Sequence, residues 1–85
     1  MLTADRSAIV DQLKSMFVRV KEGEVDLTKV DETATFAEDL GMDSLDLLEL
    51  RFEMESKWGI TMSDEEALQL KSVRDVVDLV LARGK

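Results

Sequence analysis

The sequence predicts an all-α protein: a small helical bundle of three main helices plus one short helix. Three observations carry this reading. Apolar residues recur every three or four positions in three separate stretches, polar caps and glycine stops stand at the ends of those stretches, and no proline interrupts them. Eighty-five residues suit one small domain with a limited core, so residues 1–85 are read as a single domain. There is no internal repeat or low-complexity tract.

Thr3 is placed to cap the first helix, and Asp5 falls in its first turn, where a carboxylate complements the helix dipole. Ile9, Leu13, Met16, Phe17 and Val20 then recur at helical spacing as a core-facing stripe, which Gly23 ends. The stretch from Lys21 to Asp43 is longer than most helix connections. Val25, Leu27, Val30, Phe36 and Leu40 are expected to pin it across the bundle, and Gly41 suits a backbone turn that other residues resist. Asp43 is expected to cap a second helix that begins at Ser44 and runs to about Trp58, where Gly59 stops it. Ser63 opens a short third helix with a capping box to Glu66, and Ser72 caps a fourth from Val73 to about Arg83. Val73, Val76, Val77 and Val80 are the inward face of that last helix. Their β-branched side chains favour a strand by propensity, but the spacing is helical and the caps agree with it.

The second helix carries two apolar faces. At 100° per residue, Leu47, Leu50, Met54 and Trp58 gather on one side, and Leu45, Leu48 and Phe52 on roughly the other. A small bundle covers one such stripe easily and both with difficulty. The face that includes Trp58 is expected in the core. Leu45, Leu48 and Phe52 are expected to stand exposed beside Ser44, flanked by Asp46, Glu49 and Glu53, as an apolar strip rimmed by charge. Such a strip suits transient docking, with apolar anchors for affinity and acids for orientation and rate. The alternative is that the long connection folds over it.

Composition narrows the chemistry. Without cysteine there is no disulfide framework or thiolate metal site, and without histidine the commonest acid–base residue and metal ligand is missing. A self-contained enzyme is therefore not expected, and no metal site is assigned. No apolar run approaches the roughly 20 residues that span a bilayer, and Met1 to Lys14 lacks a secretory core, so a cytoplasmic protein without membrane insertion is expected. The formal charge of -8 is concentrated: ten acids and two bases lie between Glu38 and Glu66, while the nine acids and nine bases elsewhere cancel. A patch of this sign repels nucleic acid and attracts basic protein surfaces.

Ser44 lies inside that patch, at the junction of an irregular segment and a helix. A hydroxyl placed there can carry a covalent phosphate where free N–H groups and the helix dipole favour negative charge. Asp-Ser-Leu alone is weak, and a serine in it is most often a capping neighbour. The surrounding run Phe36-Ala37-Glu38-Asp39-Leu40-Gly41-Met42-Asp43-Ser44-Leu45-Asp46-Leu47-Leu48-Glu49-Leu50 is specific, and it strongly resembles the acyl carrier protein signature. The likeness extends through Ile60, the acidic run Asp64-Glu65-Glu66-Ala67 and the apolar helix ending near Leu81, covering roughly residues 3 to 82.

The resemblance implies an acyl carrier domain on which Ser44 receives 4′-phosphopantetheine from coenzyme A, attached by a phosphopantetheinyl transferase. Asp43 matches the aspartate that supports the transferase-bound metal. The thiol of the arm would hold acyl groups as thioesters and present them to acyl-transfer, condensing and modifying enzymes with basic docking patches, the carrier itself being a non-catalytic monomer. Leu45, Asp46, Leu48, Glu49, Phe52 and Glu53 match the face such enzymes read. Leu47, Leu50, Met54, Met62, Leu68 and Val73 could part to receive an acyl tail, although ordinary packing is the commoner role of such residues.

Three departures from the fatty-acid synthase pattern leave the cargo open: Arg51 at a usually apolar position, Trp58 for a usual phenylalanine, and Met62-Ser63 where Ile-Pro is common. The connection before Phe36 is also slightly longer. Fatty acid, polyketide, nonribosomal-peptide and special lipid pathways all remain open, with Asp43 favouring the acyl over the peptidyl branch. The rival from another class is a helical adaptor that docks through Leu45, Leu48 and Phe52 and carries no prosthetic group. A calcium site is weaker, because Asp39, Asp43 and Asp46 do not follow the EF-hand loop.

Overall fold

The computed structural model describes residues 6–83. Four helices follow in order: α1 (Arg6–Val20), α2 (Ser44–Trp58), α3 (Asp64–Leu68) and α4 (Val73–Arg83), with a 3-10 turn at Leu27–Lys29 inside the long connection. Among the described residues there is no β-strand. The expected cap at Thr3 and first-turn Asp5 lie outside the described residues.

The apolar periodicity translates directly into packing. Ile9, Leu13, Met16, Phe17 and Val20 of α1, Leu47, Leu50 and Met54 of α2, and Val73, Val76, Val77 and Val80 of α4 are all buried in one cluster. With both α1 and α3 against it, α2 is central, and α4 packs on α1. Trp58 departs from expectation: it is only partly buried, and its indole N–H donates to Gln12 Oε1 at 2.8 Å across the α1–α2 contact. An indole has a polar edge that must find a partner when covered, which favours this margin over the core centre.

The connection between α1 and α2 is ordered by its own side chains. Val30, Ala34, Phe36, Leu40 and Met42 are buried, Val25 packs partly, and Leu27 stays exposed on the 3-10 turn. Phe36 meets Phe17 edge-on, with ring centres 6.0 Å apart. Backbone bonds then stitch the segment to the turn before α4: the Phe36 N–H donates to Lys71 O at 3.0 Å and the Val73 N–H to Ala34 O at 3.0 Å. This satisfies buried backbone groups that would otherwise lack partners.

The ends of the helices follow their capping residues. Asp43 and Asp46 form a reciprocal box at the start of α2, and Ser63 and Glu66 form the same arrangement at α3. Gly59, at φ 66, closes α2 in the left-handed conformation that costs a glycine least. The α4 start differs from expectation. There the Asp75 carboxylate accepts from the Lys71 and Ser72 N–H groups, while no bond of the Ser72 hydroxyl occurs among the described residues. Arg83, at the far end of α4, pairs with Glu66 and donates to Thr61 O at 2.9 Å. That guanidinium, aided by the Ser63 N–H, lowers the Glu66 carboxyl to about 2.

Candidate functional site

Ser44 is the first residue of α2 and is exposed, and no bond engages its hydroxyl among the described residues. The cap is made by its neighbour. The Asp46 N–H donates to Asp43 Oδ1 at 3.0 Å and the Asp43 N–H to Asp46 Oδ2 at 3.1 Å, so both carboxylates are used in fixing the helix start. First-turn N–H groups of a helix lack acceptors within it, and a phosphate on Ser44 Oγ would sit at that same positive end. The hydroxyl is thus both reachable and free. These are the properties an attachment serine needs.

Ser44 is among the residues that line a cleft of about 550 Å³. Phe36, Ala37, Met42, Leu47 and Leu70 supply its apolar walls, and Glu38, Asp43 and Lys71 add charge at its edges. The backbone stitch between Phe36 and Lys71 holds two of these walls at a fixed separation. Of the residues expected to receive a tail, only Leu47 lines this cleft. Leu50, Met54, Met62 and Val73 are buried in the core and do not line it, and Leu68 is 45% exposed. The sequence reading missed Thr35, Leu70 and Lys71 because their approach to Ser44 depends on a backbone pairing between distant segments that leaves no local pattern.

The apolar strip expected beside Ser44 is exposed but narrower. Leu45 and Phe52 are 65% and 62% exposed, and the exposed Glu49 lies between them within a strip of about 60° on α2. Leu48 is half-buried against the core, so it offers an edge rather than a face. The Phe52 ring lies 4.8 Å from the Arg51 guanidinium, which also reaches Asp64 at 2.9 Å and Met62 O at 3.2 Å. Arg51, the odd residue of the sequence, therefore packs beside Phe52 while tying α2 to the start of α3.

The acidic rim is asymmetric. Glu49 forms no ion pair among the described residues, whereas Glu53 pairs with Arg19 at 2.8 Å and Asp46 with Lys21 at 3.0 Å. Asp46 is not the free rim acid that the sequence implied. Burial pushes its carboxyl up, but the bonds from Lys21 and the Asp43 N–H outweigh this and hold it below the ordinary aspartate range; Lys21 is raised in turn, chiefly by the Asp46 bond. Both cations come from the end of α1, so the flank facing α1 is neutralised and the open flank stays negative. Among the described residues no group of three or more potential ligands is gathered as a metal centre, and no helix is long and apolar enough to cross a membrane.

The family described as the phosphopantetheine attachment site matches residues 11–80. A small helical bundle that displays an unengaged serine at a helix start therefore falls in the class of phosphopantetheine-dependent carrier domains. The acyl carrier protein of Thermosynechococcus vestitus is 41% identical over 76 residues, covering 89% of this chain and 91% of that one. Among solved structures, the 3,7-dioxo-octyl actinorhodin acyl carrier protein of Streptomyces coelicolor superposes with a TM-score of 0.75 at 29% identity, covering 87% of each chain. The acyl carrier protein of Thermotoga maritima superposes at 0.67 with 33% identity, covering 86% of this chain and 87% of that one. This chain belongs to the acyl carrier protein family. It is a non-catalytic carrier whose prosthetic group is phosphopantetheine.

Proposed function

We propose that Ser44 is the attachment point, and that this chain is loaded by a phosphopantetheinyl transferase before it serves acyl-processing enzymes. The observation that carries the proposal is a free, exposed hydroxyl at the start of α2, on a residue that lines an apolar-walled cleft. In the loading step Ser44 Oγ attacks the β-phosphorus of coenzyme A. The new O–P bond makes a phosphodiester, adenosine 3′,5′-bisphosphate leaves, and the serine proton passes to a base of the transferase. Asp43 lies one residue away, its Oδ1 engaged by the cap and its Oδ2 available to the metal that the transferase brings.

Once attached, the group supplies a thiol on which acyl cargo is held as a thioester. The chain's own contribution is position. Tethering gives each docked enzyme a high effective concentration of substrate. The cleft offers Phe36, Met42, Leu47 and Leu70 to the first part of the arm or of an apolar cargo, and a longer tail requires Leu50, Met54, Met62 and Val73 in the core to part. Methionine suits such a lining because it repacks easily. Leu68, on the outer surface of α3, takes no part in that route.

Co-expression with a promiscuous transferase tests the proposal by intact mass. One phosphopantetheine unit should appear on the wild-type chain. A wild type that stays unmodified would favour the adaptor, which uses the same Leu45–Phe52 strip without an arm.

Docking on that strip by basic partners has its own expected result. Glu49→Lys is expected to lower kcat/KM for loading by about fivefold at low salt, with the gap closing at high salt as the charges are screened. Its fold should be unaffected, since Glu49 forms no ion pair among the described residues. Glu53→Lys is a poorer probe, because it sets a cation against Arg19. Equal rates for wild type and Glu49→Lys across the salt range would remove steering as a cause of fast docking.

A further inference from the structure

One side chain joins the end of α1 to both sides of Ser44. Lys21 directly follows α1, where its own N–H still donates to Phe17 O at 2.9 Å and the Gly23 N–H returns to Val18 O at 2.8 Å. Its backbone is therefore fixed to the helix. From there the ammonium donates to Gly41 O at 2.9 Å and to Asp46 Oδ2 at 3.0 Å. That same carboxylate oxygen accepts the Asp43 N–H at 3.1 Å. The two charged side chains are only 20% and 14% exposed, so water screens their bonds less than it does those of the surface pairs. One ammonium and one carboxylate oxygen thus hold the residue three before Ser44, the residue just before it and the residue two after it.

We propose that Lys21 is a positioning residue for loading at Ser44, a clamp that sets the path of Gly41 to Asp46 relative to α1. The inference rests on Ser44 being the attachment site. Gly41 is at φ +62, between Leu40 and Met42, whose N–H groups donate to Thr35 O at 3.1 Å and Phe36 O at 2.7 Å; those bonds hold the turn to the connection before it, and the Lys21 bond to the Gly41 carbonyl is the one that ties it to the end of α1. The capping box ties Asp43 to Asp46 within the start of α2, and the buried Met42 and Leu47 on either side seat that start without a polar bond to α1. Lys21 supplies that bond. It also withholds Asp46 from visiting proteins, leaving Glu49 to meet them.

Charge and position predict opposite signs, which makes the clamp testable. Lys21→Met makes the surface near Ser44 more negative, so attraction of a basic transferase alone would raise kcat/KM. The clamp predicts a fall of about fivefold, the ratio that a single net hydrogen bond is worth, expressed in kcat more than in KM because a misplaced hydroxyl reacts poorly after docking. The measurement is a time course of intact mass on the full chain with coenzyme A and a promiscuous transferase, paired with amide hydrogen exchange. Faster exchange at Asp43 and Asp46 with unchanged protection at Val76 and Val77, and recovery of most of the rate in Lys21→Arg, would support the clamp. Unchanged or faster loading of Lys21→Met would overturn it.

Should Lys21→Met also lose protection in α4, Lys21→Gln is the second variant: it stays polar and removes the same charge but is too short to span Gly41 O and Asp46 together. A folded Lys21→Gln chain loaded at the wild-type rate or faster would then overturn the clamp, and a slowed one would support it, because loss of a cation by steering alone raises the rate. Absence of any mass gain on the wild type would instead refute Ser44 as the attachment site, a result that no Lys21 variant can produce by itself.

Discussion

Ser44→Ala is expected to abolish phosphopantetheine uptake completely while leaving the fold in place. The first half follows from chemistry: alanine has no oxygen to form the phosphodiester, and no neighbouring hydroxyl occupies the same helix start. The second half follows from geometry. Ser44 is exposed, its hydroxyl makes no bond among the described residues, and the cap of α2 belongs to Asp43. Surface changes away from such features usually alter stability by no more than about 0.5 kcal/mol, so the melting temperature should move by only a few degrees.

Ser63→Ala is the informative control for that result. Ser63 stands one position earlier relative to its helix and is the cap itself: its Oγ accepts the Glu66 N–H at 3.1 Å, and α3 is only five residues long. Its loss should cost about 1 kcal/mol of stability and leave uptake intact, the reverse of the Ser44 pattern. Uptake of the arm by Ser44→Ala, or its loss in Ser63→Ala, would reassign the site. Both serines stand at a helix start, but Ser63 is the cap and Ser44 follows one, so they differ in whether the hydroxyl is already employed.

That difference marks how much of the molecule is legible in the chain. The helices were, because each has a buried stripe at its own period and a cap or stop encoded within a few residues: Leu13 and Phe17 in α1, Asp43 and Gly59 around α2, Val76 and Val80 in α4. The helix start at Ser44 was legible for the same reason, but its candidacy as an attachment point came from the resemblance of the run Phe36 to Leu50 to acyl carrier proteins, since a local reading makes it only a capping neighbour. Features that depend on which segments meet were not. Lys21 and Arg19 read as ordinary charges after and within α1, and only the packing of α1 on α2 turns them into partners of Asp46 and Glu53.

The cleft illustrates the same limit from the apolar side. Leu50 and Met54 are found by periodicity as buried apolar residues, but periodicity cannot say that Leu70 and Lys71 come beside Phe36, because that contact is made by an isolated backbone pairing at Thr35 and Ser72. Leu68 shows the cost of treating every apolar residue of a short helix as inward. Over five residues a helix completes little more than one turn, and Ala67 already fills its buried position.

Phe17→Ala is expected to damage the fold severely and Phe52→Ala hardly at all, although both remove the same ring. Phe17 is fully buried and touches Phe36 edge-on, so its truncation loses both the transfer free energy of the ring and the contacts around the cavity left behind. Such changes cost about 3–5 kcal/mol, a large part of the total stability of a domain this size, and should lower the melting temperature by about 15–30 °C. Phe52 is exposed on the docking strip, and its loss should change the melting temperature by only a few degrees while slowing the approach of transferase. Thermal unfolding by circular dichroism measures the first contrast, and loading kinetics the second. The link between them is Phe36. It is the partner of Phe17 on one side and a wall of the Ser44 cleft on the other, so a hole at position 17 loosens the surface beside that serine as well as the core. A Phe17→Ala chain that melts within a few degrees of wild type would mean that the long connection is held without that contact, and that the cleft owes its shape to the backbone pairing at Phe36 and Lys71 alone.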